Sequence, residues 1–306
     1  MLAGFAADLA VPDPRRAHPV ALFGGFAQRL EALVYADRRR RGVLLVAVST
    51  GTATGLAVAG TRLAGDRVGP RALLTVAATW TVLGGASLHR VAGRLARALQ
   101  DDDLGTARAL LPSLCGRDPD TLDAGGLARA GVESVAENTS DAVVAPLLAG
   151  AVAGVPGLVA YRAVNTLDAM VGHRSLRYAR FGWAAARLDD LANLVPARVT
   201  GLLAVACAPR VGGSPAAAYA VMRRDGGAHP SPNAGRCEAA FAGALGLRLG
   251  GENAYGGRVE RRGVLGDGRA PAAEDVRRAV TLARAVGMVA AVLTAGTAVL
   301  RERSVR

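Results

Sequence analysis

Residues 133–198 read ESVAENTSDAVVAPLLAG, then AVAGVPGLVAYRAVNTLDAMVGHR, then SLRYARFGWAAARLDDLANLVPAR. Carboxylates, carboxamides and arginines are packed here more densely than folding requires. They flank a run, 142–161, that carries no charge but is interrupted by Pro146, Gly150, Gly154, Pro156 and Gly157. An uncharged run of that length can cross a bilayer as a kinked helix, or enter and leave on one side. Broken helices at membrane depth line a cavity or a site, because their freed backbone groups need partners.

The surrounding chain supports a membrane reading. Of the 306 residues 51% are apolar but only 4% aromatic, so Ala, Val and Leu carry the apolar content. That favours helices over a β-rich core. The runs 42–61 and 72–88 are uncharged, and 285–300 is a last apolar helix. Arg38 to Arg41 stand directly before the first run, which places its amino-terminal end in the cytoplasm. The expected fold class is all-α: a polytopic membrane bundle with broken or re-entrant helices and a polar loop or cap region. It is expected to be one membrane-embedded domain, with polar segments at about 89–141, 162–198 and 223–284.

Charge and cysteine content narrow the function. The net charge is +12, and every one of the 37 basic residues is arginine. No nucleic-acid module accompanies that charge, so lipid and anionic small molecules come first as partners. The three cysteines are scattered, without CxxC or a Cys/His cluster, so neither zinc nor a disulfide framework is indicated.

The polar motifs suggest chemistry. Glu133, Glu137 and Asp141 are spaced four apart and share a face if the segment is helical. Three like charges so placed invite a counter-ion, Mg²⁺ or arginine. Asn165 and Asp168 also share a helix face, with Tyr161 and Arg162 before them and His173 and Arg174 after. Asp189 and Asn193 repeat the pattern beside Arg187, Asp190 and Arg198. Oxygen ligands with arginine nearby suit a magnesium–phosphate site. Further on, the core His229-Pro-Ser231-Pro-Asn233 cannot be helical, since two prolines force turn or extended geometry. It reads as a substrate loop or an ordinary connector, followed by Asn253 and Tyr255. His18, in DPRRAHPV, is a ligand-facing group or a helix-entry residue.

Four motifs, ESVAENTSDAVVAPLL, YRAVNTLDAMVGHR, RFGWAAARLDDLANLVPAR and HPSPNAGRCEAAFAGALGLRLGG followed by YGG, resemble the cobalamin biosynthesis family CobD/CbiB, the adenosylcobinamide-phosphate synthases. DPRRAHPV is similar to that family's opening motif. The resemblance covers nearly the whole chain. It implies an inner-membrane enzyme that joins aminopropanol, usually as its O-phosphate, to the free carboxylate of adenosylcobyric acid. Other membrane enzymes of the corrinoid pathway are implied as contacts.

Chemistry fits that implication. A carboxylate does not condense with an amine unaided, and activation as an acyl phosphate by ATP and Mg²⁺ is the usual solution. Glu133, Glu137, Asp141, Asn165 and Asp168 are the expected Mg²⁺ ligands. Arg162, Arg174, Arg187 and Arg198 are expected to hold phosphates. Asp189, Asp190 or His173 is expected to take the proton from the amine. His18, Asn193, His229, Ser231, Asn233, Asn253 and Tyr255 complete the expected substrate contacts. ATP and corrinoids are cytoplasmic, so the motifs should face one side, and the run 142–161 is expected to be re-entrant or to hold the site between broken helices. A Mg²⁺-dependent prenyl or phosphoalcohol transferase is the alternative. A transporter would call for inverted repeats, which are not found, and a scaffold leaves the polar density without a cause.

Overall fold

The computed structural model describes residues 1–11, 18–173, 175–255 and 258–304. The chain forms two compact units. One comprises Met1–Gly84, Ala145–Asn193 and Ala291–Arg306, and the other comprises Gly85–Val144 and Leu194–Ala290.

The first unit is built from α1 (Leu2–Ala10), α2 (Pro19–Val34), α3 (Arg39–Ala64) and α4 (Val68–Val82). The second begins with α5 (Gly85–Gln100), α6 (Leu104–Leu110) and α7 (Ala124–Thr139), which runs into a π turn, Ser140–Val144. The chain then returns to the first unit with α8 (Ala145–Leu167), a second π turn (Asp168–Gly172) and α9 (Trp183–Ala192). Next come α10 (Leu194–Cys207), α11 (Pro215–Asp225) and α12 (Ala234–Leu245), a hairpin β1 (Leu249–Tyr255) and β2 (Arg258–Leu265), and α13 (Ala273–Ser304).

Among the described residues five helical stretches are long and apolar enough to cross a membrane: Arg39–Ala64, Val68–Gln100, Ala124–Gly172, Leu194–Val211 and Ala273–Ala298. On α3 the apolar side chains of Val43, Leu44, Val48 and Leu56 point outward, as lipid-facing residues do. The chain is a predominantly helical, multi-pass membrane protein, with one two-stranded ribbon among the described residues.

Two of those stretches are broken. The run expected as a span at 72–88 ends its helix at Val82, and α5 restarts at Gly85 after Leu83 and Gly84. Ala124–Gly172 is broken at Gly154, whose φ of 63° and ψ of −146° only glycine adopts readily. The chain reverses there. A Cβ on Gly157 would lie 2.2 Å from the carbonyl oxygen of Ala149, and one on Gly150 would lie 2.9 Å from Leu158. Residues eight apart are roughly 12 Å apart along a straight helix, so α8 is a helical hairpin with glycines at its contact. This is the folding-back expected of 142–161.

Packing within the first unit centres on Ala27, Leu45, Val46, Leu167, Val171 and Phe181. Glycines let backbones close up around it: a Cβ on Gly42 would sit 1.7 Å from the carbonyl oxygen of Phe181. In the second unit α7 packs on α5 and α12, with Leu95, Leu127 and Phe241 fully buried.

The segment 223–284, expected as a polar loop or cap, is more ordered than its composition implies. It holds α12 and the hairpin, and α13 begins at Ala273 rather than near 285. In the hairpin Gly251 faces Arg262, and a bulge separates Leu249 from Gly251.

Candidate functional site

Each unit gathers polar residues into a network of its own. In the first unit the network runs from α8 to α9. The Tyr161 hydroxyl donates to Asn193 Oδ1 at 2.8 Å, and Asn193 Nδ2 donates to Asp189 Oδ2 at 2.9 Å. Asn165 Nδ2 donates to the other oxygen of Asp189 at 3.4 Å, and Arg162 donates to Asn165 Oδ1 at 3.0 Å. Arg162 also donates through Nε to the carbonyl of Val82 at 2.6 Å. It thereby closes the carboxyl end of α4, where helical carbonyls lack partners.

The sequence spacing had paired Asn165 with Asp168 and Asp189 with Asn193, and the structure brings Asn165 to the second of these pairs. Asn193 is buried and orients Asp189. Asp189 is half-buried, and its carboxyl is raised above the ordinary range, first by burial and then by Asp190, against the lowering effect of its two carboxamide partners. Asp190 faces Arg187 at 3.6 Å. Asp168 lies in the second π turn against Gly172, where a Cβ would fall 1.8 Å from Asp168 Oδ1.

Other expected residues of this unit stand at its periphery. His173 is exposed and its ring lies edge-on to Tyr178, centroids 5.0 Å apart. His18 begins α2, its Nδ1 accepting from the Val20 N–H at 3.3 Å, which is the helix-entry role. Arg174 lies outside the described residues, as do the side chains of Asn253 and Tyr255 in the other unit.

In the second unit Glu133 is tied on both oxygens. It forms a buried ion pair with Arg117, and its Oε1 accepts from the Gly250 N–H at 2.7 Å. Arg129, one turn earlier on α7, donates to the carbonyls of Gly250 and Glu252. Together Arg129 and Glu133 clamp the start of β1. Glu137 follows on α7, but Asp141 lies in the π turn, so the four-residue spacing does not carry Asp141 onto the α-helical face of Glu133 and Glu137. Glu137 and Asp141 both act on the buried Cys237, whose thiol is pushed well up by burial first and by these two carboxylates after it.

The loop 229–233 caps α12. His229 Nδ1 accepts from the Ser231 N–H at 3.0 Å, and Ser231 Oγ accepts from the N–H groups of Asn233 and Ala234. His229 Nε2 faces Glu238 at 3.7 Å. Burial first, then Arg262 and Arg117, lower His229 from the ordinary 6.5 to about 4. Glu238 is pushed well up by burial and by Glu133 and Glu137. Arg198 is exposed and donates to the Leu194 carbonyl at 2.6 Å.

Sequence reasoning missed Glu238, Arg117 and Glu31. The last is buried and accepts from Arg177 and Tyr178, fastening the loop after the second π turn onto α2. Glu238 lies in the quoted HPSPNAGRCEAA, and its place one turn past a proline-set loop was the available signal. Arg117 had none, because its partner is 16 residues away across a turn.

Among the described residues no three His, Cys, Asp or Glu side chains converge as ligands of one metal ion. Glu133, committed to Arg117 and Gly250, does not fit as a free ligand.

The fold and these networks define a class: a multi-pass helical membrane protein that holds carboxylates, carboxamides and arginines in ordered, half-buried arrays. The family model for CobD/CbiB protein matches residues 1–283, and the chain belongs to that family, which acts in cobalamin biosynthesis. It is 55% identical over 293 residues to the cobalamin biosynthesis protein CobD of Mycobacterium tuberculosis, covering 96% of this chain and 93% of the relative. The corresponding protein of Geobacter metallireducens is 47% identical over 266 residues, covering 85% and 83%, and that of Rhodobacter capsulatus 43% over 293 residues, covering 93% and 92%. No solved structure matches.

Proposed function

We propose that this protein is an adenosylcobinamide-phosphate synthase, which joins the free carboxylate of adenosylcobyric acid to aminopropanol phosphate as an amide. The observation that carries the reading is the 55% identity, along 96% of the chain, to a relative named for cobalamin biosynthesis.

The chemistry has two steps. A carboxylate oxygen of the corrinoid takes the terminal phosphoryl group of ATP, and ADP leaves. The amine lone pair then attacks the carbonyl carbon, inorganic phosphate departs, and one proton passes to a base. Asp189 suits the base: two carboxamides aim its oxygens, and burial lifts its carboxyl toward the working pH, where a general base is most effective. Asp190 is paired with Arg187, and His173 is exposed, so both rank behind it.

Exposed Arg187 and Arg198 are assigned to phosphate groups. Magnesium enters with the nucleotide as substrate, and such an ion needs only one or two protein carboxylates. Asp168, in the second π turn of the first unit, is the candidate carboxylate. The enzyme is placed in the inner membrane with Asp189 accessible from the cytoplasm, where ATP is.

The test is purified protein with adenosylcobyric acid, aminopropanol phosphate and ATP–Mg, read by mass spectrometry. The expected product has the mass of the two substrates less one water, and omitting ATP removes it. Asp189→Asn should lower the rate about 10²- to 10⁴-fold. An unchanged corrinoid, or diphosphate released from a lipid donor instead, sinks the reading.

A further inference from the structure

Glu238 is a buried carboxylate of the second unit to which no use has yet been assigned. It is 1% exposed, and neither of its oxygens has a hydrogen-bond partner. His229 Nε2 lies 3.7 Å from Oε1, on a side chain that is 4% exposed and likewise lacks a partner at that nitrogen.

The state of His229 follows from its other nitrogen. Nδ1 accepts a hydrogen bond from the Ser231 N–H at 3.0 Å, so Nδ1 carries no hydrogen. Neutral His229 then carries its hydrogen on Nε2, the nitrogen that faces Glu238. Ser231 Oγ accepts in turn from the N–H groups that open α12. Gly235 makes room for this side chain, since a Cβ there would fall 2.4 Å from His229 Cβ. Glu238, His229, Ser231 and the start of α12 form one linked series.

Packing alone does not call for a carboxyl group at 238. A leucine would occupy similar space and leave no buried acceptor without a donor, an arrangement that costs stability. The group therefore has another use.

We propose that Glu238 is a positioning residue for the amide-forming reaction: facing Nε2 from 3.7 Å with an acceptor oxygen, it favours the Nε2–H tautomer of His229 and so favours the shape of the turn 229–233 that engages substrate. This rests on the function proposed above. A second proton on the imidazole would have to go to Nδ1, which breaks the Ser231 bond and opens the turn. The turn is thus closed only while His229 is neutral. The groups acting on the pair are Glu133 and Glu137 of α7, Arg117 ahead of it, and Arg262 of β2. Cys237 adjoins Glu238 on α12 itself.

The chain has four histidines, so ¹⁵N-histidine labelling gives four imidazoles to assign, and His229→Asn identifies one. In wild-type protein in detergent, His229 should show the Nε2–H pattern from about pH 7.5 to about pH 5.5. Glu238→Leu should mix the tautomers and lower kcat/KM at least tenfold with Tm unchanged or raised. The acid limb of its pH–rate profile should move toward neutrality. Glu238→Gln keeps an acceptor oxygen and should recover most of the rate and the wild-type profile.

A wild-type His229 with its hydrogen on Nδ1 overturns the proposal without any variant. So does a Glu238→Leu protein that matches wild type in tautomer and pH profile, or one whose lost activity equals its lost folded fraction. If wild-type protein makes no amide, the functional reading fails, while the tautomer measurement still judges the role of Glu238.

Discussion

At the scale of single residues, the ion pair of Arg117 and Glu133 is the most exacting contact, since both side chains are almost wholly buried. Removing one partner strands a buried charge, so Arg117→Met should destabilise the protein by about 3–5 kcal/mol. Glu133→Gln added to it keeps the acceptor for the Gly250 N–H and should restore much of that loss. Unfolding in mixed micelles measures both. His229 gives a pH signature. Its folded pKa of about 4 lies below the ordinary 6.5, so the folded chain refuses a proton that the unfolded chain accepts. Stability should therefore fall as pH drops through that window, and His229→Asn should flatten this part of the curve. What was legible at this scale was local. Asp189 and Asn193 could be paired from helical spacing, because they are four residues apart, but their contact with Asn165, 24 residues from Asp189 on another helix, could not. Glu133 could not be separated from Glu137, because its commitment to Arg117 and Gly250 arises from chain segments that spacing does not relate.

At the scale of elements, glycine positions decide more than hydrophobic runs do. Gly154→Ala forces a backbone conformation that costs on the order of 1–3 kcal/mol and should loosen the α8 hairpin. Gly172→Ala tests placement more than stability: its Cβ would meet Asp168 Oδ1, so the carboxylate must move. We expect that variant to fold and to lose amide formation, as judged by the same mass-spectrometric assay. The break of 142–161 was legible because proline and glycine announce it. The interruption at Leu83 and Gly84 was not, because an uncharged run says nothing about where its helix ends. The hairpin was hidden too. Its glycines, two of them at positive φ, make a strand look like a loop in composition.

At the scale of the molecule, alanine, valine and leucine in uncharged runs made the membrane bundle legible before any contact was known. Sidedness can be tested within the first unit. Tyr35 donates to the Arg177 carbonyl, Arg177 stacks on Tyr35, and Arg39 lies over Trp183, so the loop after the second π turn shares an end with the basic start of α3. In a chain freed of its three native cysteines, Leu176→Cys should react only with reagent reaching the cytoplasmic face. Asp66→Cys, beyond the far end of α3, should react only from outside, and the opposite pattern would invert the topology. The π turn Asp168–Gly172 has a consequence of a different kind. Such a turn is a helix holding one residue more than the α form closes, so in the gene it corresponds to one codon. Loss of that codon would leave a regular helix with every later side chain on it turned by about 100°. The reading frame would survive and so would the helix. Asp168 would keep its neighbours before it and lose those after it, a change of register rather than of side chain.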